Sequence, residues 1–152
     1  RGKASTVMTT GVWNNVVLTY DGQGGSTAYN GMKIYLNGVD VSSSNVSLNT
    51  YTAMHNMSAP LTVGEYFGNY ASGNIDEVSI FNTELSGGFA GSDITTIYNS
   101  GVPNNLNDLS TPPLSWWRCG DSDTSPTLTD NGSGGNDGTM TNFSTFSTDV
   151  PT

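Results

Sequence analysis

The sequence predicts an all-β domain, an antiparallel β-sandwich of the jelly-roll type with one short helix. Its composition is the first reason, because Thr, Val and Tyr suit a pleated sheet while the abundant Gly and Asn form turns. The second reason is a series of short alternating segments, each bounded by a turn signal. At 152 residues the chain is expected to form a single domain, residues 1–152.

The first strands are predicted from alternation and from one turn dipeptide. Residues 16–20 alternate strictly, so that Leu18 is expected on the opposite face from Thr19. Residues 32–41 are predicted to fold back on themselves, because Asn37-Gly38 is the strongest short signal for a two-residue hairpin turn.

Four later strands are predicted at residues 61–67, 73–82, 114–120 and 138–147. The polar segment 42–58 between the early and later strands is predicted to be mainly loop. Within the strand at 73–82, the neighbours Asp76 and Glu77 would point to opposite faces.

One helix is predicted, over residues 92–101. Ser92 or Asp93 would cap its first turn, and Gly101 followed by a proline would end it. Ile94 and Ile97 would lie on one side, and so short a helix must pack on a sheet. Residues 103–113 then form an internal linker-like stretch before the closing strands.

The charge balance excludes two classes of partner. The formal net charge is -9, and only four residues are Lys or Arg. Because they are scattered, the chain is not expected to bind nucleic acid or an anionic membrane. The single cysteine, Cys119, cannot form an intrachain disulfide and is predicted to be a small buried apolar residue.

Five motifs occur in a fixed order between residues 12 and 102: W-x-x-V-V-L-T-Y-D-G, K-I-Y-L-N-G-V, L-T-V-G, G-N-I-D-E-V-S-I-F-N and I-x-x-I-Y-N-x-G. This order resembles the laminin-G-like domains of the concanavalin A-like lectin/glucanase superfamily. Such domains carry further strands before the first motif. The resemblance therefore implies that residues 1–152 lack N-terminal strands and are a fragment of a longer protein; the alternative is that another segment completes the sandwich.

The closing segment, L-S-W-W-R-C-G-D-S-D-T-S-P-T-L-T-D-N-G-S-G-G-N-D-G, resembles the end of such domains in structural proteins of marine tailed bacteriophages. The resemblance implies a non-enzymatic decoration, fibre or appendage domain at the virion surface. Its expected partners are other virion subunits, in a homo- or hetero-oligomer, and host-surface glycans. The alternative is a secreted or cell-surface carbohydrate-binding module of a bacterium.

No catalytic residue is predicted. Glycoside hydrolysis needs two carboxylates on one surface, and neighbouring strand residues such as Asp76 and Glu77 would not share one. The single histidine, His55, lies in a predicted loop without a nucleophile motif around it.

Aromatic residues supply the candidates for glycan contact and for the core. Sugar sites use exposed aromatic rings, and the candidates in or beside loops are Tyr29, Tyr51, Tyr66, Phe67 and Tyr70. Trp13 and one of Trp116 and Trp117 are expected to fill the core. Adjacent residues of a strand face opposite ways, so the other tryptophan would be covered by the helix or by a neighbouring subunit.

A calcium site is the alternative to a set of turns in the closing segment. No cofactor is required, but Asp121, Asp123, Asp130 and Asp137 offer the oxygen ligands that calcium prefers. Asp and Asn are also the ordinary residues of turns, where they bind their own backbone. The resemblance to laminin-G-like domains, which often hold one structural calcium, adds Asp76 as a ligand candidate.

Overall fold

The computed structural model describes residues 4–43, 51–54, 57–121 and 123–152. Within them the chain is mostly β, with antiparallel strands in several small sheets and one short α-helix, which confirms the predicted fold class and is consistent with a partial β-sandwich. The elements are β1 (Val16–Tyr20), β2 (Met32–Leu36), β3 (Val39–Asp40), β4 (Glu65–Tyr66), β5 (Asn69–Tyr70), β6 (Val78–Ile80), α1 (Asp93–Tyr98), β7 (Ser115–Trp117), β8 (Thr127–Leu128) and β9 (Gly138–Thr139). Single 3-10 turns lie at Ala28–Gly31, Asn99–Gly101 and Leu106–Asp108.

Strands β1, β2 and β3 form the largest sheet, in that order. The predicted hairpin is confirmed: β2 turns into β3 at Asn37 (φ 50°) and Gly38 (φ 77°). Two successive residues with positive φ match the right-handed twist of the strands, and Asn and Gly adopt that conformation at least cost.

The two faces of this sheet have different surroundings. On the inner face Tyr35 packs with Leu85 and Ile94 in the main apolar cluster, and Val17 lies against it. On the other face Leu18 is 71% exposed. The alternation predicted for β1 is therefore confirmed, and its second face is apolar but uncovered.

The predicted helix is also confirmed, and its caps explain its ends. The backbone N–H of Thr95 donates to the side chain of Ser92, the N-cap residue. At the other end Asn99 adopts the left-handed conformation, which stops α1. Ile94 is fully buried, so the helix packs on the inner face of the sheet as its length requires.

Two of the predicted strands are shortened because a residue with positive φ interrupts the alternation. The strand expected at 61–67 is instead a small hairpin, in which Phe67 (φ 48°) and Gly68 (φ 76°) turn β4 into β5. The strand expected at 73–82 shrinks to β6 because Glu77 (φ 54°) leaves the extended conformation.

The closing part of the chain is built from shorter strands than predicted. Strand β7 is confirmed and pairs with β6. The strand expected at 138–147 is reduced to β9, which pairs with β8, a strand that the sequence did not reveal. The stretch 103–113 contains a 3-10 turn, and its Leu106 and Pro113 are buried.

Candidate functional site

The closing segment is organised around one buried carboxylate, that of Asp130, which is 9% exposed. Its Oδ1 accepts hydrogen bonds from the backbone N–H of Trp116 (2.8 Å) and of Gly132 (2.8 Å). Its Oδ2 accepts one from the N–H of Asn136 (2.7 Å). The Asp130 side chain therefore connects β7 to both ends of the glycine-rich turn, residues 132–136.

These donors decide the ionisation of Asp130. Burial by itself raises the pKa of a carboxyl group, but hydrogen bonds from backbone N–H groups and from the Ser115 hydroxyl together lower the pKa of Asp130 below its usual value. The carboxylate is thus held in its charged form, the form that accepts three backbone hydrogen bonds at once.

The two adjacent tryptophans of β7 are both buried, at 3% exposed for Trp116 and 7% for Trp117. The indole N–H of Trp117 donates to the carbonyl of Asn136 (2.9 Å). The expected cover by the helix or by a neighbouring subunit is wrong for this residue, because the chain's own turn bends back over it. Trp13, by contrast, is only half-buried, and its indole N–H donates to Asp149 (3.3 Å).

On the other side of β7, Glu77 forms a compact polar cluster that the sequence did not reveal. Its carboxylate accepts from the indole N–H of Trp116 (2.6 Å) and pairs with the guanidinium of Arg118 (3.2 Å). That guanidinium lies 5.1 Å from the centre of the Trp116 ring, within cation–π range. Glu77 and Arg118 are far apart along the chain, so no local sequence signal joins them.

The Glu77 carboxyl group serves structure in this cluster. Burial raises its pKa although Trp116 and Arg118 act in the opposite direction. Burial also raises the pKa of its neighbour Asp76, whose Oδ1 accepts the Glu77 backbone N–H. Both Glu77 oxygens have hydrogen-bonding partners, the indole N–H of Trp116 at Oε2 and the Arg118 guanidinium at Oε1.

The remaining calcium candidates are engaged in the turn itself. Asp123 accepts from the backbone N–H groups of Gly120 and Thr129, and Asp137 accepts from that of Asp130. Asp121 forms an ion pair with Arg118. Within the described ranges, no group of three or more Asp, Glu, His or Cys side chains is arranged to hold a metal ion. His55 lies outside the described residues.

Cys119 is half-buried beside this cluster, and its Sγ donates weakly to the carbonyl of Trp117 (3.5 Å). Burial, followed by the nearby charge of Asp76, raises the pKa of the thiol to about 11. Because the thiolate is the nucleophilic form, the group is kept in its unreactive state at neutral pH.

The candidate glycan residues fall into two sets. Tyr66, Phe67 and Tyr70 lie on the β4–β5 hairpin and are 73%, 85% and 68% exposed. The rings of Tyr66 and Phe67 meet edge to face, 4.6 Å between centres. Tyr29 and Tyr51 are half-buried, and Tyr51 packs against Tyr20 rather than beside the hairpin residues.

A wide cleft of about 1930 Å³ lies among the described residues. Strand β1 and the segment around β6 both line it, and Trp13 lies in its wall. A smaller adjoining hollow of about 330 Å³ is lined by Trp13, Phe143 and Phe146 together with the polar side chains of Asn74 and Asp149.

None of the helices in the described part of the chain is long and apolar enough to cross a membrane. No curated protein and no solved structure matches the chain significantly. A laminin-G-type family model, described as the concanavalin A-like lectin/glucanases superfamily, matches residues 2–88, more than half of the chain. Such a domain indicates a carbohydrate-binding or adhesion-type function. By this match the chain belongs to the concanavalin A-like lectin/glucanases superfamily.

Proposed function

We propose that this chain is a non-enzymatic adhesion domain that acts through surface contacts as a structural part of a phage virion. The observation that carries the contact role is the uncovered face of the β1–β3 sheet, where Val16, Leu18 and Val39 are 49%, 71% and 63% exposed. A contiguous apolar surface of this kind is typical of a protein–protein contact. The resemblance of the closing segment to phage structural proteins supports the virion as its place.

The proposal predicts that the protein is a stoichiometric component of purified virus particles. Quantitative mass spectrometry of particles purified by density gradient should find it at a fixed ratio to the major capsid protein. An antibody against the folded domain should label intact particles, because the proposed location is the virion surface. A protein that stays in the soluble fraction of the lysate and is missing from particles would contradict the proposal.

A second function, glycan binding by the β4–β5 hairpin, is favoured by a different observation. Tyr66 and Phe67 present two adjoining rings to solvent although they fill no core. Exposed rings are the surfaces on which sugars stack. This function fits both a virion adhesin that holds host glycans and a secreted bacterial carbohydrate-binding module.

Replacing Tyr66 or Phe67 with serine is expected to weaken glycan binding by about three- to tenfold per ring, the effect of losing one aromatic stacking contact. Stability should change little, because both side chains are mostly exposed. Glycan arrays identify a ligand, and calorimetry with that ligand measures the loss. Phe89→Ser is the matched control, since Phe89 is 60% exposed and lies outside the hairpin. A flat array, or equal losses in all three variants, would refute this function.

A further inference from the structure

The smaller hollow, of about 330 Å³, is formed by Trp13, by the segment 73–76 and by residues of the closing segment between positions 119 and 150. No residue of β1 or β6 lines it, and these are the strands whose unpaired edges further strands of a sandwich would join. The hollow therefore does not depend on those open edges. Its volume is at the lower end of the range for pockets that hold small organic ligands, about 300–1,000 Å³.

Three aromatic rings line this hollow, those of Trp13, Phe143 and Phe146. The centres of the two Phe rings lie 4.6 Å apart, and their planes are inclined by 55°. Phe146 also packs against Gly120, where an added Cβ would lie 3.3 Å from the ring. Rings that are inclined to one another suit a compact, rounded group, whereas a flat ligand stacks on a single face.

Two carboxylates, those of Asp76 and Asp149, line the same hollow, and none of its described lining residues is Lys or Arg. Within the described part of the chain the Asp149 carboxylate has neutral partners. It accepts from the indole N–H of Trp13 (3.3 Å) and from the side-chain amide of Asn74 (3.3 Å). The wall thus carries negative charge that no cation in the wall balances.

The charges next to the wall leave it negative. Arg118, whose charge acts on Asp76, is itself paired with Glu77 and Asp121. Cys119 lines the hollow, and the pKa of its thiol is raised first by burial and then by the charge of Asp76. Because negative surroundings disfavour a further anion, a ligand of this hollow is expected to be a cation.

The lining chemistry favours an organic cation over a metal ion. A metal ion such as calcium needs several oxygen ligands, and the described ranges hold no group of three or more Asp, Glu, His or Cys side chains arranged for one. A quaternary ammonium group spreads its charge over methyl groups. Those methyl groups pack on aromatic faces, to which the charge is also attracted.

We propose that the hollow lined by Trp13, Phe143 and Phe146 binds a quaternary ammonium group, such as that of choline. The rings contact the methyl groups, and the carboxylates of Asp149 and Asp76 balance the charge. No residue of the β1–β3 sheet or of the β4–β5 hairpin lines this site. The proposal therefore goes beyond the adhesion and glycan-binding roles and does not rest on them.

The test uses the full chain with choline as the probe, and the control ligand is dimethylbutanol, in which an uncharged carbon replaces the ammonium nitrogen. In NMR titrations choline should shift the indole N–H signal of Trp13. The signal of Trp117, whose indole N–H is bonded to Asn136, should stay unchanged. Dimethylbutanol should bind at least about tenfold more weakly, since it has the shape of choline without the charge. Added salt should weaken choline binding.

Two variants test the rings and the charge separately. Phe143→Leu keeps an apolar side chain without the ring and should weaken choline binding about two- to fivefold. Asp149→Asn keeps an oxygen acceptor for the Trp13 N–H without the charge and should weaken it about fivefold or more. Phe89→Leu and Asp108→Asn, at exposed positions outside the hollow, are the matched controls and should leave binding unchanged. Both test positions are exposed, so all four variants are expected to fold.

A quaternary ammonium group occurs in soluble compounds and in lipid headgroups, and sedimentation with phosphatidylcholine vesicles distinguishes these sources. A protein that binds choline and stays in solution takes the group from a soluble compound, and one that pellets with the vesicles takes it from the headgroup.

Three results would overturn the proposal: no shift of the Trp13 signal with choline, equal binding of choline and dimethylbutanol, or choline binding that both Phe143→Leu and Asp149→Asn leave unchanged. Binding of glucose at these signals in place of choline would assign the hollow to a neutral sugar and would equally refute the ammonium site. The particle and hairpin experiments are independent of all these outcomes.

Discussion

Replacing Asp130 with alanine is expected to lower the free energy of unfolding by about 3 kcal/mol or more. The reason is that three buried backbone N–H groups, those of Trp116, Gly132 and Asn136, lose their acceptor together. Each unsatisfied buried donor costs about 1–3 kcal/mol. Urea unfolding followed by tryptophan fluorescence measures the change, and a loss of that size is a large part of the stability of an ordinary domain.

Two further variants separate the hydrogen bonds of Asp130 from a general effect of removing charge. Asp108→Ala removes an exposed carboxylate and should change stability by less than about 0.5 kcal/mol. Asp130→Asn keeps the shape of the side chain but only one oxygen acceptor, so its loss should be intermediate. If Asp130→Ala unfolds at the same urea concentration as Asp108→Ala, the central role assigned to this carboxylate is wrong.

The contribution of the Asp130 carboxylate to the free energy of unfolding is expected to depend on pH. The pKa of Asp130 is lower in the folded protein than in the unfolded chain. Its contribution is therefore fully present above the unfolded pKa, about 4, and is lost as the pH falls through the folded pKa. The stability difference between the wild type and Asp130→Asn should be constant near neutral pH and shrink in acid. A difference that grows in acid would contradict the assignment.

The elements that the sequence predicted correctly are those specified by residues that are close together in the chain. Asn37-Gly38 specifies a turn whatever surrounds it, and Ser92 caps the next residues of its own chain. Helix α1 and the β2–β3 hairpin were therefore placed correctly before any tertiary contact was known. The alternation of β1 was also enough to place Val17 inside and Leu18 outside.

The parts that it missed depend on contacts between distant segments. Alternation continues through Glu77 in the sequence, but its pairing with Arg118 and Trp116 accompanies a positive φ that ends the strand. Phe67 behaves similarly, since an apolar residue there suggests a strand position rather than a turn. Bulky residues seldom adopt positive φ, so a rule based on local preference extends the strand too far.

In the closing segment, the role of the aspartates depends on their hydrogen-bonding partners, which the sequence does not give. From the sequence, turns were the favoured role of its aspartates and calcium binding was the alternative. The structure gives Asp123, Asp130 and Asp137 backbone N–H partners, which is the chemistry of a turn. Composition alone could not rank Asp130 above the others, because its importance comes from the burial of the donors it satisfies.

Replacing Ile94 with alanine is expected to lower the free energy of unfolding by about 2–5 kcal/mol, the usual cost of removing a fully buried aliphatic side chain. Ile94 has no exposed surface and joins α1 to Tyr35 of the sheet and to Leu85. The surroundings cannot collapse easily into the space, because Gly87 already approaches so closely that a Cβ there would lie 2.8 Å from Ile94 Cγ1.

Leu18→Ala is the matched control for Ile94→Ala, because it removes a side chain of the same size from the opposite side of the same sheet. Leu18 is 71% exposed, so its loss should cost less than about 1 kcal/mol. Thermal unfolding of both variants measures the contrast. A large loss in Leu18→Ala would mean that its face is covered in the free protein, which would contradict the exposed apolar face on which the proposed contact role rests. A small loss in both would mean that the α1 contact does not hold the sheet. The expected pattern, a large loss for Ile94→Ala and a small one for Leu18→Ala, is that of a packed core on one face of the sheet and an exposed apolar surface on the other.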